Sequence, residues 1–216
     1  MARRVGVLLS GCGYLDGTEI HEAVCTLLAL DEAGAESICL APDMELDVVD
    51  HVTGKPTGEK RNVLVESARI ARGRIKNIAE VSAADLDALV LPGGYGAAKN
   101  LSSFATQGAG MSVHPEVQRL VGDVHRAGKP IGAICIAPAI ISKLIPGVSL
   151  TIGKDAGTAR VLEQMGTRHC PCSVTELVVD EQHKVVSTPA YMLGPWVSAV
   201  HQGITRCVRE VLARIR

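Results

Sequence analysis

Cys135 sits in the stretch "IGAICIAPA" (131–139), where an apolar run ends and a helical pattern begins. A cysteine at such a corner has two readings. It is a small buried hydrophobe, or it is a nucleophile held on a tight turn. In the second case the N–H groups that open the next helix favour a thiolate and an oxyanion. The small neighbours Gly132, Ala133 and Ala137 let the turn pass close to other backbone. That is the logic of a strained nucleophile elbow, here with Cys in place of Ser. Position alone leaves both readings open.

Two other strand ends carry polar chemistry, "SGCGYLDGTEIHE" (10–22) and "PGGYGAAKNL" (92–101). Gly93, Gly94 and Gly96 allow positive φ and close backbone approach. Their N–H groups could complete an oxyanion hole with that of Ile136, or simply form a tight turn. Glu19 and Glu22 lie three apart near the start of a helix, so one of them could face Cys135 or act as acid and base. The competing reading is a pair of solvated carboxylates, with Thr18 capping the helix. His21, between them, is expected to point elsewhere. Lys99 and Asn100 follow the glycine turn and could order it, and Cys12 is a second thiol at a strand end. "RHCPC" (168–172) offers His169, Cys170 and Cys172 but has no fourth ligand at zinc spacing, so no metal is expected.

Alternating apolar runs and helical patterns position these groups. Strands are expected at 4–10, 36–42, 86–94, 130–135 and 149–153. Helices are expected at 18–33, 61–73, 115–128, 136–144, 157–166 and 195–215, the last with Pro195 near its start. Residues 176–189 read as a hairpin, and 43–60 as a polar, turn-rich stretch with "TGKPTGEK" as an exposed tip. In helix 18–33 the apolar positions are Ile20, Ala23, Val24, Leu27 and Leu28. The βαβα order implies a parallel sheet covered on both faces, with chemistry at the carboxyl ends of its strands. Hydrophobic residues make up 47% of the 216-residue chain and aromatics only 2%, so aliphatic side chains and alanine must fill the core. A net charge of −1 and a pI near 6.6 argue against nucleic-acid or membrane-surface partners. No apolar run is long enough to span a bilayer. Seven cysteines without a secretion signal suggest reduced thiols and a cytoplasmic location.

Together, "VLLSGCGYLDGTEIHEAV", "RNVLVESARIARG", "LPGGYGAAKNLS", "GKPIGAICIAPA" and "STPAYM" resemble the ElbB-type glyoxalases. These are also called sigma cross-reacting or isoprenoid-biosynthesis-associated proteins. They form a branch of the PfpI and class I glutamine amidotransferase-like superfamily, with the Parkinsonism-associated deglycase a more distant relative. The resemblance covers nearly the whole chain. It implies a flavodoxin-like three-layer α/β sandwich in a single domain, with a family-specific insertion at about 43–80. It implies Cys135 as nucleophile, Glu22 as its carboxyl partner, and Gly94 and Ile136 as backbone donors. Cys12, Glu19 and Asn100 are expected as site neighbours.

The implied activity converts glyoxal, and methylglyoxal by extension, to the 2-hydroxy acid without a cofactor, with deglycase-like activity as a related capacity. The implied partner is a small aldehyde. A homodimer is the assembly the resemblance suggests, although no exposed apolar stripe in the sequence establishes one. PfpI-type proteases carry histidine directly after the cysteine, where this chain has Ile136, and His169, His183 and His201 sit at no suitable strand end. Glutaminase and protease activities are therefore not expected. The alternative function, of a different class, is a redox sensor in which Cys135 is oxidised to sulfinate. Arg61 and Asn62 are candidates to reach the site from the 43–80 segment.

Overall fold

The computed structural model describes residues 2–194 and 196–216, so the expected role of Pro195 lies outside the described residues. In chain order, β1 (Arg4–Leu8) leads to α1 (Ile20–Glu32) and β2 (Glu36–Ala41). β3 (Glu45–Val49) and β4 (Pro56–Asn62) follow, then α2 (Val63–Ile70) and β5 (Ile75–Asn77). Next come β6 (Ala88–Leu91), α3 (Tyr95–Lys99), α4 (Phe104–Gln107) and α5 (Pro115–Arg126). The chain continues through β7 (Ile131–Ile134), α6 (Pro138–Leu144), β8 (Ser149–Leu150), α7 (Ala156–Gln164) and β9 (Arg168–His169). It ends with β10 (Val178–Asp180), β11 (Val185–Thr188) and α8 (Val197–Ala213).

The central sheet runs β10-β11-β7-β6-β1-β2-β5. Every pairing in it is parallel except the edge hairpin β10–β11. Strands in the middle must bury both faces, which is why β6 and β7 are continuous apolar runs, ALVL and IGAI. Side chains alternate between two cores. Leu89, Leu91, Ile131 and Ala133 point to a cluster with α5 and α6, whereas Val5, Val7, Ala88 and Val90 point to one with α1 and α8. The expected α/β sandwich is what the chain forms. From β1 the connections run one way to β2 and the other way to β6, so the order switches between β1 and β6, where a crevice opens at the carboxyl ends.

The short elements β5, α3, α4 and β9 lie outside the expected set, β8 pairs with β9 outside the central sheet, and two larger departures bear on the site. The polar stretch after β2 is an ordered antiparallel hairpin, β3–β4, forming its own small sheet. β4 is exposed over nearly its whole length and β3 turns only Leu46 and Val48 inward, so the hairpin lacks the continuous apolar runs of the central sheet. Helix α1 also buries a different face. Glu22, Ala23, Thr26, Ala29 and Leu30 turn inward, while Ile20, Val24 and Leu28 stay exposed as a stripe along one side. Of the expected apolar positions Ala23 is buried and Leu27 packs against the core, but the inward face also carries a carboxylate and a hydroxyl, so apolar periodicity alone misplaces Ile20, Val24 and Leu28. Thr26 donates its hydroxyl to the Glu22 carbonyl at 2.7 Å, which satisfies one of these buried polar groups within the helix.

Candidate functional site

The sulfur is placed by the way β7 ends. Cys135 N donates to Thr188 O of β11 at 2.9 Å, and the chain then turns with Cys135 at a φ of 61°. A non-glycine residue there costs about 1–2 kcal/mol. Ala137 N closes the turn on Ile134 O at 3.0 Å, and Pro138 opens α6, where its fixed φ suits the first helical turn. The backbone N–H groups of Gly94 and Ile136 pull the Cys135 pKa down, in favour of a thiolate.

Glu22 is wholly buried beside it. Its Oε2 accepts from Gly93 N at 2.8 Å and its Oε1 from Tyr191 N at 3.2 Å, and the Cys135 side chain packs beside it against Gly93. Gly93 permits this contact. A Cβ on it would lie 2.4 Å from Cys135 Cβ and 2.7 Å from Glu22 Oε2. Gly94 adopts a φ of 96°, and a Cβ there would strike Glu19 N and Gly17 O. Burial, and then the neighbouring Glu19, raise the Glu22 pKa to about 8. Burial, then Glu22, push the Cys135 thiol well above its ordinary value, against the pull of the two N–H donors. The expected activation by a helix N-terminus is thus outweighed. At neutral pH burial therefore favours a protonated Glu22 carboxyl beside a Cys135 thiol, and groups this close share their titration.

Glu19 has a different task from Glu22. It is the N-cap of α1, its Oε2 accepting from Glu22 N at 2.7 Å, and burial raises its pKa. Thr18 is not the cap. Its hydroxyl instead accepts from Ser10 N at 2.7 Å and ties the first loop to β1. Asn100 donates to Ser10 O and Asp16 O, both at 2.8 Å, and so holds that loop from behind without lining the cleft. Lys99 reaches Leu15 O and lies over the Tyr95 ring. His21 does not point away as expected: its Nδ1 is 2.8 Å from the Tyr191 hydroxyl and 3.9 Å from Glu19.

A cleft of about 520 Å³ leads to Cys135, with Glu19, Gly94 and Ile136 on its wall. Tyr14, Tyr95, Tyr191, Phe104 and Asp155 line it too, and sequence reasoning singled out none of them. A signal was present, because the three tyrosines lie inside quoted stretches of a chain nearly devoid of aromatics.

Cys12 lines a second pocket, of about 300 Å³, under the β3–β4 hairpin, and is not in the Cys135 cleft. Burial and Glu66 raise its pKa. Arg61 belongs to this second pocket, paired with Glu59 and Glu66, while Asn62 caps α2 and bonds Asp43. Neither reaches Cys135. The "RHCPC" side chains take separate partners: His169, within β9 itself, accepts from Ile152 N, and Cys172 bonds Thr151. Among the described residues no cluster of His, Cys, Asp or Glu has the form of a metal site.

Fold and site together define a class I glutamine amidotransferase-like α/β protein with a cysteine at the sheet's carboxyl edge. The DJ-1/PfpI family model matches residues 12–187, and the chain belongs to the DJ-1/PfpI family. It is 49% identical over 222 residues to the human glutamine amidotransferase-like class 1 domain-containing protein 3, mitochondrial, covering 98% of this chain and 83% of that one. A solved isoprenoid biosynthesis protein with amidotransferase-like domain from Ehrlichia chaffeensis matches with a TM-score of 0.94 at 38% identity, over 100% of both chains. Glyoxalase III from Candida albicans shares the fold, with a TM-score of 0.66 at 15% identity, over 99% of this chain and 98% of that one. The cytoplasmic expectation is overturned, since the human relative is named mitochondrial. Unpaired thiols mark a reducing compartment without saying which one.

Proposed function

We propose that the protein is a glyoxalase of the ElbB-type branch, using Cys135 and Glu22 and needing no group beyond its own side chains and water. The observation that carries this reading is the wholly buried Glu22 carboxyl, which packs with the Cys135 side chain against Gly93 at the end of the Cys135 cleft. The name of the Ehrlichia relative supports the branch, and that of the Candida neighbour supports the activity through a shared fold. A mitochondrial setting is supported by the human relative's name.

In this mechanism the thiol proton leaves by way of Glu22, and the sulfur adds to one carbonyl carbon of glyoxal. The aldehyde oxygen takes up a proton to give a hemithioacetal. Glu22 as carboxylate then removes the hydrogen from that carbon. A proton is returned to the neighbouring carbon through an enediol, leaving the glycolate thioester. Water cleaves the thioester, glycolate departs and the thiol re-forms. The Gly94 and Ile136 N–H groups stabilise charge at the reacting centre. Deglycase-like activity would use the same thiol.

The redox-sensing alternative has less support. Oxidation to sulfinate begins from a thiolate, and both burial and Glu22 disfavour one here. The test follows glycolate formation from glyoxal by wild type and Cys135→Ala, with intact-protein mass measured alongside. Glycolate formed by wild type and not by the variant supports the glyoxalase. No turnover, with a ready gain of about 32 Da at Cys135 for two added oxygens, would replace it with the sensor.

A further inference from the structure

The chain contains three tyrosines, one phenylalanine and one tryptophan. All three tyrosines and the phenylalanine line the Cys135 cleft. The two hydrophobic cores are built almost wholly from aliphatic side chains, with Phe104 packing only against the rim of one and Tyr191 against the other. Aromatic rings have therefore been concentrated at one place. Tyr14 and Tyr95 are about half exposed there, so they spend little of their area on folding.

Charge in the cleft has one sign. Glu19 and Asp155 line it, and among the described residues no lysine, arginine or histidine does. Asp155 caps α7 through Thr158 N at 2.7 Å, which fixes its carboxylate at the wall. From outside, Lys99 lies 5.2 Å from the Tyr95 ring centroid, the His21 ring bonds the Tyr191 hydroxyl, and the His51 ring meets Tyr14 edge-on. Lys99 spends its ammonium on Leu15 O and this ring. The chain's own cation has thus settled on one of these rings, which shows what their faces attract. Ring faces carry negative quadrupole charge and, with carboxylates, hold organic cations. The same wall repels carboxylates and phosphates.

We propose that the cleft selects ligands bearing an organic cation, an ammonium or guanidinium group, held between the tyrosine rings and the Glu19 and Asp155 carboxylates. Resting on the glyoxalase reading, this makes the substrate an α-oxoaldehyde that carries a positive group, in preference to a neutral or anionic one. The reacting carbonyl would sit at Cys135 and the cation toward the mouth. Glyoxal itself would then be only the smallest molecule the chemistry accepts.

Binding of unreactive probes tests the selection apart from the chemistry. Choline, its neutral carbon isostere 3,3-dimethylbutan-1-ol, and glycolate are titrated into wild type and followed by ligand NMR. Choline is expected to bind about tenfold more tightly than the isostere, within the range for a cation over aromatic faces, with glycolate weakest. Asp155→Asn keeps the helix cap, and Tyr95→Leu changes a half-exposed side chain. Each should narrow the choline preference several-fold while leaving the isostere's affinity nearly unchanged. Equal binding of choline and isostere, or tighter binding of glycolate, would overturn the inference. Choline selection without glyoxal turnover would retain the cation site and reject the glyoxalase. Turnover without selection would do the reverse.

Discussion

Two pockets at the same end of the sheet hold similar ingredients and treat the charge of a buried glutamate differently. Each is lined by a cysteine, Cys135 or Cys12, and has a buried glutamate close by, Glu22 behind Cys135 and Glu66 in the wall beside Cys12. Glu66 is held by Arg69 at 2.9 Å and Arg61 at 3.6 Å, so its charge is answered by side chains. Glu22 has only backbone N–H donors, a thiol and the like-charged Glu19, so burial keeps it protonated up to about pH 8. A paired carboxylate holds a hairpin to a helix. An uncompensated one beside a thiol can exchange a proton with it.

The largest test of this contrast exchanges the thiols. Cys135→Ala is expected to lower glycolate formation by at least about a thousandfold, whereas Cys12→Ala should leave it within about twofold. An equal loss in both would erase the distinction between the pockets.

Glu22→Gln should lower turnover by about a hundredfold, the scale of a lost general acid–base. It should also remove a pH dependence. With Glu22 near 8, wild-type kcat/KM should rise about tenfold per pH unit below about pH 8 and then level off. The stability effect has the opposite sign. Between about 4.5 and 8 the folded chain keeps a proton at Glu22 that the unfolded chain has lost, so stability falls as pH rises, by up to about 1.4 kcal/mol per unit. Below that window both states are protonated and the contribution is fully present. Urea unfolding of wild type and Glu22→Gln at pH 5 and pH 8 should show a smaller pH slope in the variant.

Gly93→Ala should destabilise by about 1–3 kcal/mol, because its Cβ would press on Cys135 and Glu22. It should reduce turnover as well, with thermal unfolding and glycolate formation as the two readouts. Smallest is Glu66→Gln, expected to cost about 1 kcal/mol of stability with turnover unchanged. A rate effect as large as that of Glu22→Gln would show the second pocket to be coupled to the first.

Much of the site was legible because its parts lie on turns with strong local signatures. Cys135 follows a wholly apolar run and precedes a proline-started helix. The glycines of "PGGYG" announce a close approach. Other parts left no such mark. The β3–β4 hairpin is polar, so alternation was hidden. Glu22 lies on a helix face whose apolar neighbours favoured the opposite side as the buried one. His21 was dismissed by its position between two glutamates, although a helical turn carries it to Tyr191, 170 residues away in sequence.

The sequence by itself determined the α/β order, the parallel sheet, the strand-to-helix corner at Cys135 and the family, since these follow from local periodicity and turn chemistry. The family resemblance pointed to Glu22 as the carboxyl beside the sulfur, but the tertiary structure alone decided that the thiol is pushed up rather than down. It also separated Cys12 from Cys135 and gathered the aromatics around one cleft. Burial, electrostatic neighbours and pocket walls are assembled by residues distant in the chain, and no local pattern encodes them.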